Sequence, residues 1–410
     1  MTPTSLFSLI ITILIVEFIF DKYLDFINAK HFKDPVPQLL SDVYDEKEYK
    51  KSQAYKKENY QFSLWTSIFS FIVLLLFFYF KGFAWVDEFA RSISSNEIVV
   101  GLLFFGLIML ANDILTTPFA YYHTFVIEEK YGFNKSTTKL FFMDKLKGWI
   151  LSILIGGGIL ALIIYFYQLT GDNFWIYTWL LMTLFTLFFT FFYSSLIVPL
   201  FNKQTPLEDG SLRSKIDSFA KKTGFTLDNI FVIDGSKRST KANAYFAGFG
   251  PKKRIVLYDT LIEDLEEDEI VAVLAHEIGH YRKKHVIYNM ILSTLITGLS
   301  LFILSLLIDN PILAEAMSVE KPSFHIGLIA FGLLFSPISE ITGIAMQYLS
   351  RKFEYEADDF AKLHHNANDL ISSLKKLSKK SLSNLTPHKA YVFFHYSHPT
   401  LFERVQNLLL

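Results

Sequence analysis

The chain has 410 residues, 51% of them apolar, and 42 are phenylalanine. Its mean hydropathy of +0.31 is higher than a water-soluble chain of this length needs, so lipid is part of its solvent. A formal net charge of −1 gives no reason to expect nucleic acid as a partner, and with no cysteine any metal has to be held by His, Asp or Glu.

A membrane span needs about 20 mostly apolar residues. Seven segments meet or approach this: 5–20, 62–80, 98–117, 148–168, 174–200, 286–308 and 324–349. The first lacks a basic leader and a small-residue cleavage site, so it reads as an uncleaved anchor. The fourth and fifth are separated only by Gly171, Asp172 and Asn173 and predict a hairpin. Lysines crowd the first connection, from Lys22 to Lys57, and the third, from Lys130 to Lys147. The second and sixth connections hold only Lys81, Arg91 and Lys321. The positive-inside rule then puts the odd connections and the C-terminal tail in the cytosol.

Two polar stretches remain, 201–285 and 350–410, both on the cytosolic side. The chain therefore divides into membrane helices one to five (1–200), a first part of a polar domain (201–285), membrane helices six and seven (286–349) and a second part of that domain (350–410). In the first part, 230–234 and 254–258 read as short strands rich in Ile, Val, Phe and Tyr, with a turn at Gly248, Gly250 and Pro251 between them. Residues 265–280 read as a helix with Glu266, Glu267, Asp268 and Glu269 in its first turns, where they complement the helix dipole. A second helix, 353–363, continues out of the last span.

On the first of these helices lies Ala275-His276-Glu277-Ile278-Gly279-His280. Residues four apart share a helical face, so His276 and His280 can aim two imidazoles at one ion, with Glu277 beside them to work on a metal-bound water. A catalytic zinc needs a third protein ligand and an open position. On a continuous helix His285 lies about half a turn out of phase and faces away. The longer pattern with a downstream glycine and histidine fails at Lys283 and Val286. The acidic cluster Glu354-Tyr355-Glu356-Ala357-Asp358-Asp359 reaches the same membrane interface. Glu354 and Asp358 share a face, so one can bind the metal while the other orients an imidazole from behind.

With these residues in place, the chain resembles the type I CaaX prenyl endopeptidases, integral-membrane zinc proteases of the gluzincin class. The matching stretches run in order along most of the chain: TFVIEEKYGFNKSTT from Thr124, VPLFNKQTPLEDGSLR from Val198, GSKRSTKANAYFAG from Gly235, VAVLAHEIGH from Val271, SRKFEYEADDFA from Ser350 and SNLTPHKAYVFFHYSHPTLFER from Ser383. The resemblance implies a mainly α, polytopic membrane protein whose seven transmembrane helices enclose a chamber, capped by a zinc metalloprotease domain with a small β-sheet. It implies one catalytic Zn2+ held by His276, His280 and Glu354, with Asp358 behind an imidazole. It makes Glu277 the base, assigns Asn243 to the substrate backbone, and places His398 near the scissile carbonyl. Arg351 and Arg404 match motif arginines of structural role. Asp113, His123 and Glu340, within or beside spans, fit groups that face protein or water.

The expected reaction is hydrolysis of peptide bonds, with removal of C-terminal residues from lipidated CaaX-type peptides. The expected partners are a peptide or protein substrate, prenylated or not, and membrane lipid, in the bacterial inner membrane or the endoplasmic reticulum according to source. The strand 254–258 is a candidate to pair with an extended substrate. A quality-control protease of the same superfamily is an alternative. A transporter or scaffold with a structural zinc is another, but it has no use for Glu277.

Overall fold

The computed structural model describes residues 1–225, 230–247 and 253–410; the predicted turn at Gly248, Gly250 and Pro251 lies outside them. Six helical runs among the described residues are long and apolar enough to cross a membrane, and the chain is an integral, multi-pass membrane protein. Three come first, in Pro3–Lys30, Glu46–Tyr79 and Glu97–Tyr122. Their starts are written in the sequence. Asp45 and Glu48 form a reciprocal capping box, and the Asn96 side chain accepts from the amides of Ile98 and Val99.

The difference from the expected seven lies in 138–201, one uninterrupted apolar run of 64 residues. It is not straight. Gly171 takes a positive φ of 52° and opens a single 3-10 turn, Gly171–Asn173. The leg Gly158–Thr170 then packs back against Phe174–Leu196, with Tyr167 edge-on to Phe174. The two remaining runs are His285–Leu307 and Phe324–His364. The last, at 41 residues, is about 60 Å long, roughly twice the hydrocarbon thickness of a bilayer. Its first half spans, and its second half carries the acidic cluster into the polar domain.

That domain holds a four-stranded sheet in the order β1 (Gln204–Pro206), β2 (Ile230–Ile233), β4 (Arg254–Tyr258) and β3 (Ala244–Ala247). β2 and β4 are parallel; β1 and β3 are antiparallel to their neighbours. One face, with Ile230, Ile255 and Leu257, packs into the main hydrophobic core together with Ile270, Leu274 and Ile278 of the helix Glu267–Arg282. The other face turns to the membrane helices, where the Tyr245 hydroxyl meets Ser194 Oγ at 3.3 Å.

The membrane part contributes to the same core through Leu40, Tyr55, Ile127 and Phe133. The two parts are joined by backbone as well: Lys135 N–H donates to Arg238 O and Thr240 N–H to Phe133 O. Beside these, Arg238 grips Asp144 with two bonds of 2.8 and 2.9 Å, and Lys241 meets Glu128 at 2.7 Å. This fixes the segment that leads into Asn243 and β3.

Candidate active site

The helix Glu267–Arg282 begins where Glu266 N–H donates to the Glu269 carboxylate, which also takes Ser372 and Lys376. It crosses the far half of Phe324–His364 at very close range, and Gly279 makes this possible. A Cβ on Gly279 would lie 3.1 Å from the Ala357 backbone and from Phe360 Cβ, closer than ordinary carbon contact, so a larger residue has to push the helices apart. Glycine inside a helix costs up to about 1 kcal/mol relative to alanine. Here that cost brings two ligand-bearing helices together.

At this crossing His276 Nε2 and His280 Nε2 lie 3.1 Å apart. Glu354 reaches both, Oε2 at 3.5 Å from His276 Nε2 and Oε1 at 3.3 Å from His280 Nε2. These three residues are the described group able to hold a metal ion. Four-coordinate zinc with bonds of about 2.0–2.1 Å separates its ligand atoms by roughly 3.3 Å, and each of these three contacts, two of them to different Glu354 oxygens, is near that spacing. Glu354 is 4% exposed, and its buried Oε2 has no hydrogen-bond partner. A buried oxygen without a donor is costly, and a cation between the three residues would satisfy it.

Each imidazole is held from behind. His276 Nδ1 pairs with Asp358 Oδ1 at 2.8 Å, and Asp358 is fully buried. Arg404, from the terminal helix Leu401–Leu409, donates to both Asp358 oxygens at 2.6 and 2.9 Å. Its Nη1 lies 3.5 Å from Glu354 Oε2. Burial and the Arg404 charge oppose protonation of His276. The Asp358 carboxylate bonded at Nδ1 and the Glu354 carboxylate beside Nε2 outweigh them and raise its pKa to about 9. A cation bound at Nε2 has to displace that proton.

On the other side, His280 Nδ1 lies 3.0 Å from His285 Nδ1, and His285 Nε2 lies 3.1 Å from Glu356 Oε2. The expectation that His285 faces away assumed one continuous helix. Lys284 instead takes a left-handed φ of 60°, and a new helix starts at His285. The break swings His285 back onto His280, buried and stacked on Phe353, though outside the metal-binding triangle.

Glu277 is half-buried one residue after His276. His398 is exposed, with Nε2 3.3 Å from Glu354 Oε1 and Nδ1 2.9 Å from Ser397 Oγ. Arg351 secures its loop by donating to Tyr396 O at 2.5 Å, next to the carbonyls of Val392 and Phe393.

Asn243 stands apart from the metal triangle, exposed at the start of β3. Its carbonyl accepts from Tyr258 N–H. With Tyr245, Phe246, Tyr281 and Val286 it lines a cavity of about 570 Å³. The expected substrate-pairing strand, 254–258, is excluded: it is β4, bonded on both sides, and has no free edge. The open edge beside this cavity is that of β3.

The family description "CAAX prenyl protease N-terminal, five membrane helices" matches residues 25–203, and "Peptidase family M48" matches 206–409. The chain is similar to the CAAX prenyl protease 1 homolog of Dictyostelium discoideum, 37% identical over 98% of this chain and 96% of that one. It belongs to the type I CAAX prenyl protease family. Similarity to CAAX prenyl protease 1 of Saccharomyces cerevisiae is 34% identity over 96% and 93% of the two chains. The crystal structure of S. mikatae Ste24p overlays with a TM-score of 0.94 at 34% identity, covering 98% and 99%. Membership in an M48 peptidase family accounts for a His-His-Glu group able to hold a metal. It also sharpens what the sequence reading passed over. Arg404, read as structural, is in the centre of the site, and Gly279 is the contact point of the two ligand helices. A glycine inside a strongly helical segment is the one signal that could have marked the latter.

Proposed function

We propose that the chain is a membrane-embedded zinc endopeptidase that removes C-terminal residues from prenylated CaaX-type peptides. The observation that carries this is the convergence of His276, His280 and Glu354 into one group able to hold a metal, with a buried carboxylate oxygen left unsatisfied. One Zn2+ fits the donor set, and when bound it supplies Lewis acidity and an acidified water. Glu277 takes a proton from the attacking water and returns it to the leaving amine. Asp358 and His285 keep the two imidazoles in the tautomer that leaves Nε2 free to ligate. His398, on its tethered loop, donates to the scissile carbonyl oxygen. The substrate lies extended along β3, its backbone aligned by Asn243.

In this reading 201–285 and 350–410 work as one protease domain on the cytosolic side, interrupted by 286–349. Both legs of the 138–201 run cross the bilayer, giving seven crossings around a chamber. The CaaX-type substrate, with prenyl chain and lipid as partners, follows from the names of the relatives.

The test is cleavage of a prenylated and an unprenylated C-terminal peptide by purified protein. A chelator should abolish cleavage and zinc restore it. Glu277→Gln should bind zinc as the parent does and lose at least about a hundredfold in turnover. Parent-level cleavage by that variant would remove Glu277 from its role.

A further inference from the structure

A second cavity, of about 500 Å³, opens on the sheet's membrane-facing side, away from the metal triangle. Four cations line it: Lys147, Lys203, Lys237 and Arg254. No carboxylate is among its described lining residues, and none of the four has a described ion pair. Lys147 Nζ donates to Leu200 O at 2.8 Å and Lys237 Nζ to Phe201 O at 3.5 Å. Arg254 lies over the Phe231 ring. The nearest acids are engaged elsewhere. Asp144 is held by Arg238, and Asp234 accepts from Asn202 and from the amide of Lys203. Four like charges around one small space repel one another, and no described carboxylate forms an ion pair with any of them.

The place of the cavity says what would. Lys147 stands in the last turn before the apolar leg that enters the bilayer, and Leu200 ends the leg that returns. Ile150, one turn beyond Lys147 on its face, is an exposed apolar side chain, as are Leu154, Leu196 and Leu200. The cavity is cationic on its sheet side and continuous with lipid-facing surface on the other. That is the shape of an amphiphile with an anionic head.

We propose that this cavity seats the phosphate headgroup of an anionic phospholipid from the leaflet on the protease-domain side, its acyl chains lying along Ile150, Leu154 and Leu196. Basic pockets between membrane helices at such an interface suit multiply charged headgroups. Four cations also exceed what a single peptide carboxylate can neutralise. The cavity adjoins the Asn243 cavity at Phe201 and Asn202 but contains none of His276, Glu277, His280 or Glu354, so a failure here leaves the peptidase reading untouched.

The test uses the full chain in neutral detergent micelles doped with dansyl-labelled phosphatidylinositol phosphate, read by energy transfer from tryptophan. Trp149, two residues from Lys147, is a built-in donor. Saturable transfer is expected, competed by unlabelled phosphatidylinositol phosphate but neither by phosphatidylcholine at the same mole fraction nor by millimolar inorganic phosphate. Each cation near an anionic headgroup is worth about fivefold in affinity, so the double variant Lys203→Ala/Lys237→Ala should bind about thirtyfold more weakly. Its lipid-free unfolding temperature and its peptide cleavage should match the parent. If the double variant is unstable, Lys203→Gln alone should lose about fivefold. Parent-like binding by either folded variant, or equal competition by phosphatidylcholine, overturns the proposal. Competition by inorganic phosphate as strong as by the lipid reduces the cavity to a simple anion site. Competition by a cleaved peptide's carboxylate reassigns it to product.

Discussion

Replacing Gly279 by alanine tests whether the helix crossing sets the metal geometry. The added Cβ would lie 3.1 Å from the Ala357 Cα and O and from Phe360 Cβ, against a normal carbon contact of about 3.5–4.0 Å. The two helices therefore have to separate by about 0.4 Å or more at the point where they share the metal. The ligand atoms are 3.1, 3.3 and 3.5 Å apart, and a zinc site tolerates ligand distances within about 0.2 Å of ideal. The overpacking costs about 1–3 kcal/mol. The better helix propensity of alanine returns up to about 1 kcal/mol. Gly279→Ala should thus fold, with at most a modest loss of stability, but bind zinc about 10- to 100-fold more weakly, the range seen when the surroundings of a ligand are disturbed. Zinc competition against a fluorescent chelator measures the affinity, and thermal unfolding in excess chelator measures the fold. Gly148→Ala, where a Cβ meets nothing within 4 Å, is the control and should change neither. If Gly279→Ala held zinc like the parent, the glycine would not govern the distance between the ligand helices.

Asp358→Ala removes the partner of His276 and leaves the buried Arg404 guanidinium without its hydrogen-bonded acid, with only Glu354 3.5 Å away. Loss of one partner of a buried pair costs about 3–5 kcal/mol, so the metal-stripped variant should show a clear drop in denaturant midpoint, and Asp358→Asn a smaller one. His285→Ala takes away the support of His280 and should weaken zinc about tenfold while leaving Glu277-dependent turnover of the zinc-loaded protein near parent level. A stopped-flow chelation rate would read the difference directly. Arg351→Ala frees three carbonyls at the end of the helix before His398. It should lower kcat with zinc affinity unchanged; a fall in zinc affinity instead would show that Arg351 supports the ligands themselves.

The apolar spans were legible because lipid demands long, uninterrupted apolar runs, and so was the hairpin inside 138–201. Its reversal rests on three residues, Gly171–Asn173, with no charge to mark the turn beyond Asp172. The HExxH helix and the continuation of the last span past residue 350 were legible from their acidic and amphipathic patterns. The sheet was half legible. β2 and β4 are runs of branched residues, whereas β1 is Gln-Thr-Pro and β3 is Ala-Tyr-Phe-Ala. These short edge strands owe their form to the neighbours they pair with, not to propensity. For that reason the sequence pointed to β4 as the open strand although β3 covers it. His285 was misread for a comparable reason. A left-handed backbone at a lysine, Lys284, has no sequence signature, since the residues that favour it are glycine and asparagine.

The two imidazoles are not supported equally, and the inequality has a chemical consequence. Behind His276 stands a fully buried carboxylate already paired with Arg404, so that side adds no net charge and little freedom. Behind His280 stands a neutral-capable histidine that leans on Glu356, which is half-buried near the surface. Among the three candidate ligands Glu354 is then the one carboxylate, and Arg404 approaches it at 3.5 Å without a direct hydrogen bond. A divalent cation with two neutral imidazoles and one carboxylate keeps a net charge of about +1, which favours a bound anion over neutral water. A second uncancelled carboxylate at Asp358 would remove that charge. Arg404 therefore does more than brace the terminal helix: by neutralising Asp358 it preserves the electrophilic character of the site while letting the aspartate orient His276.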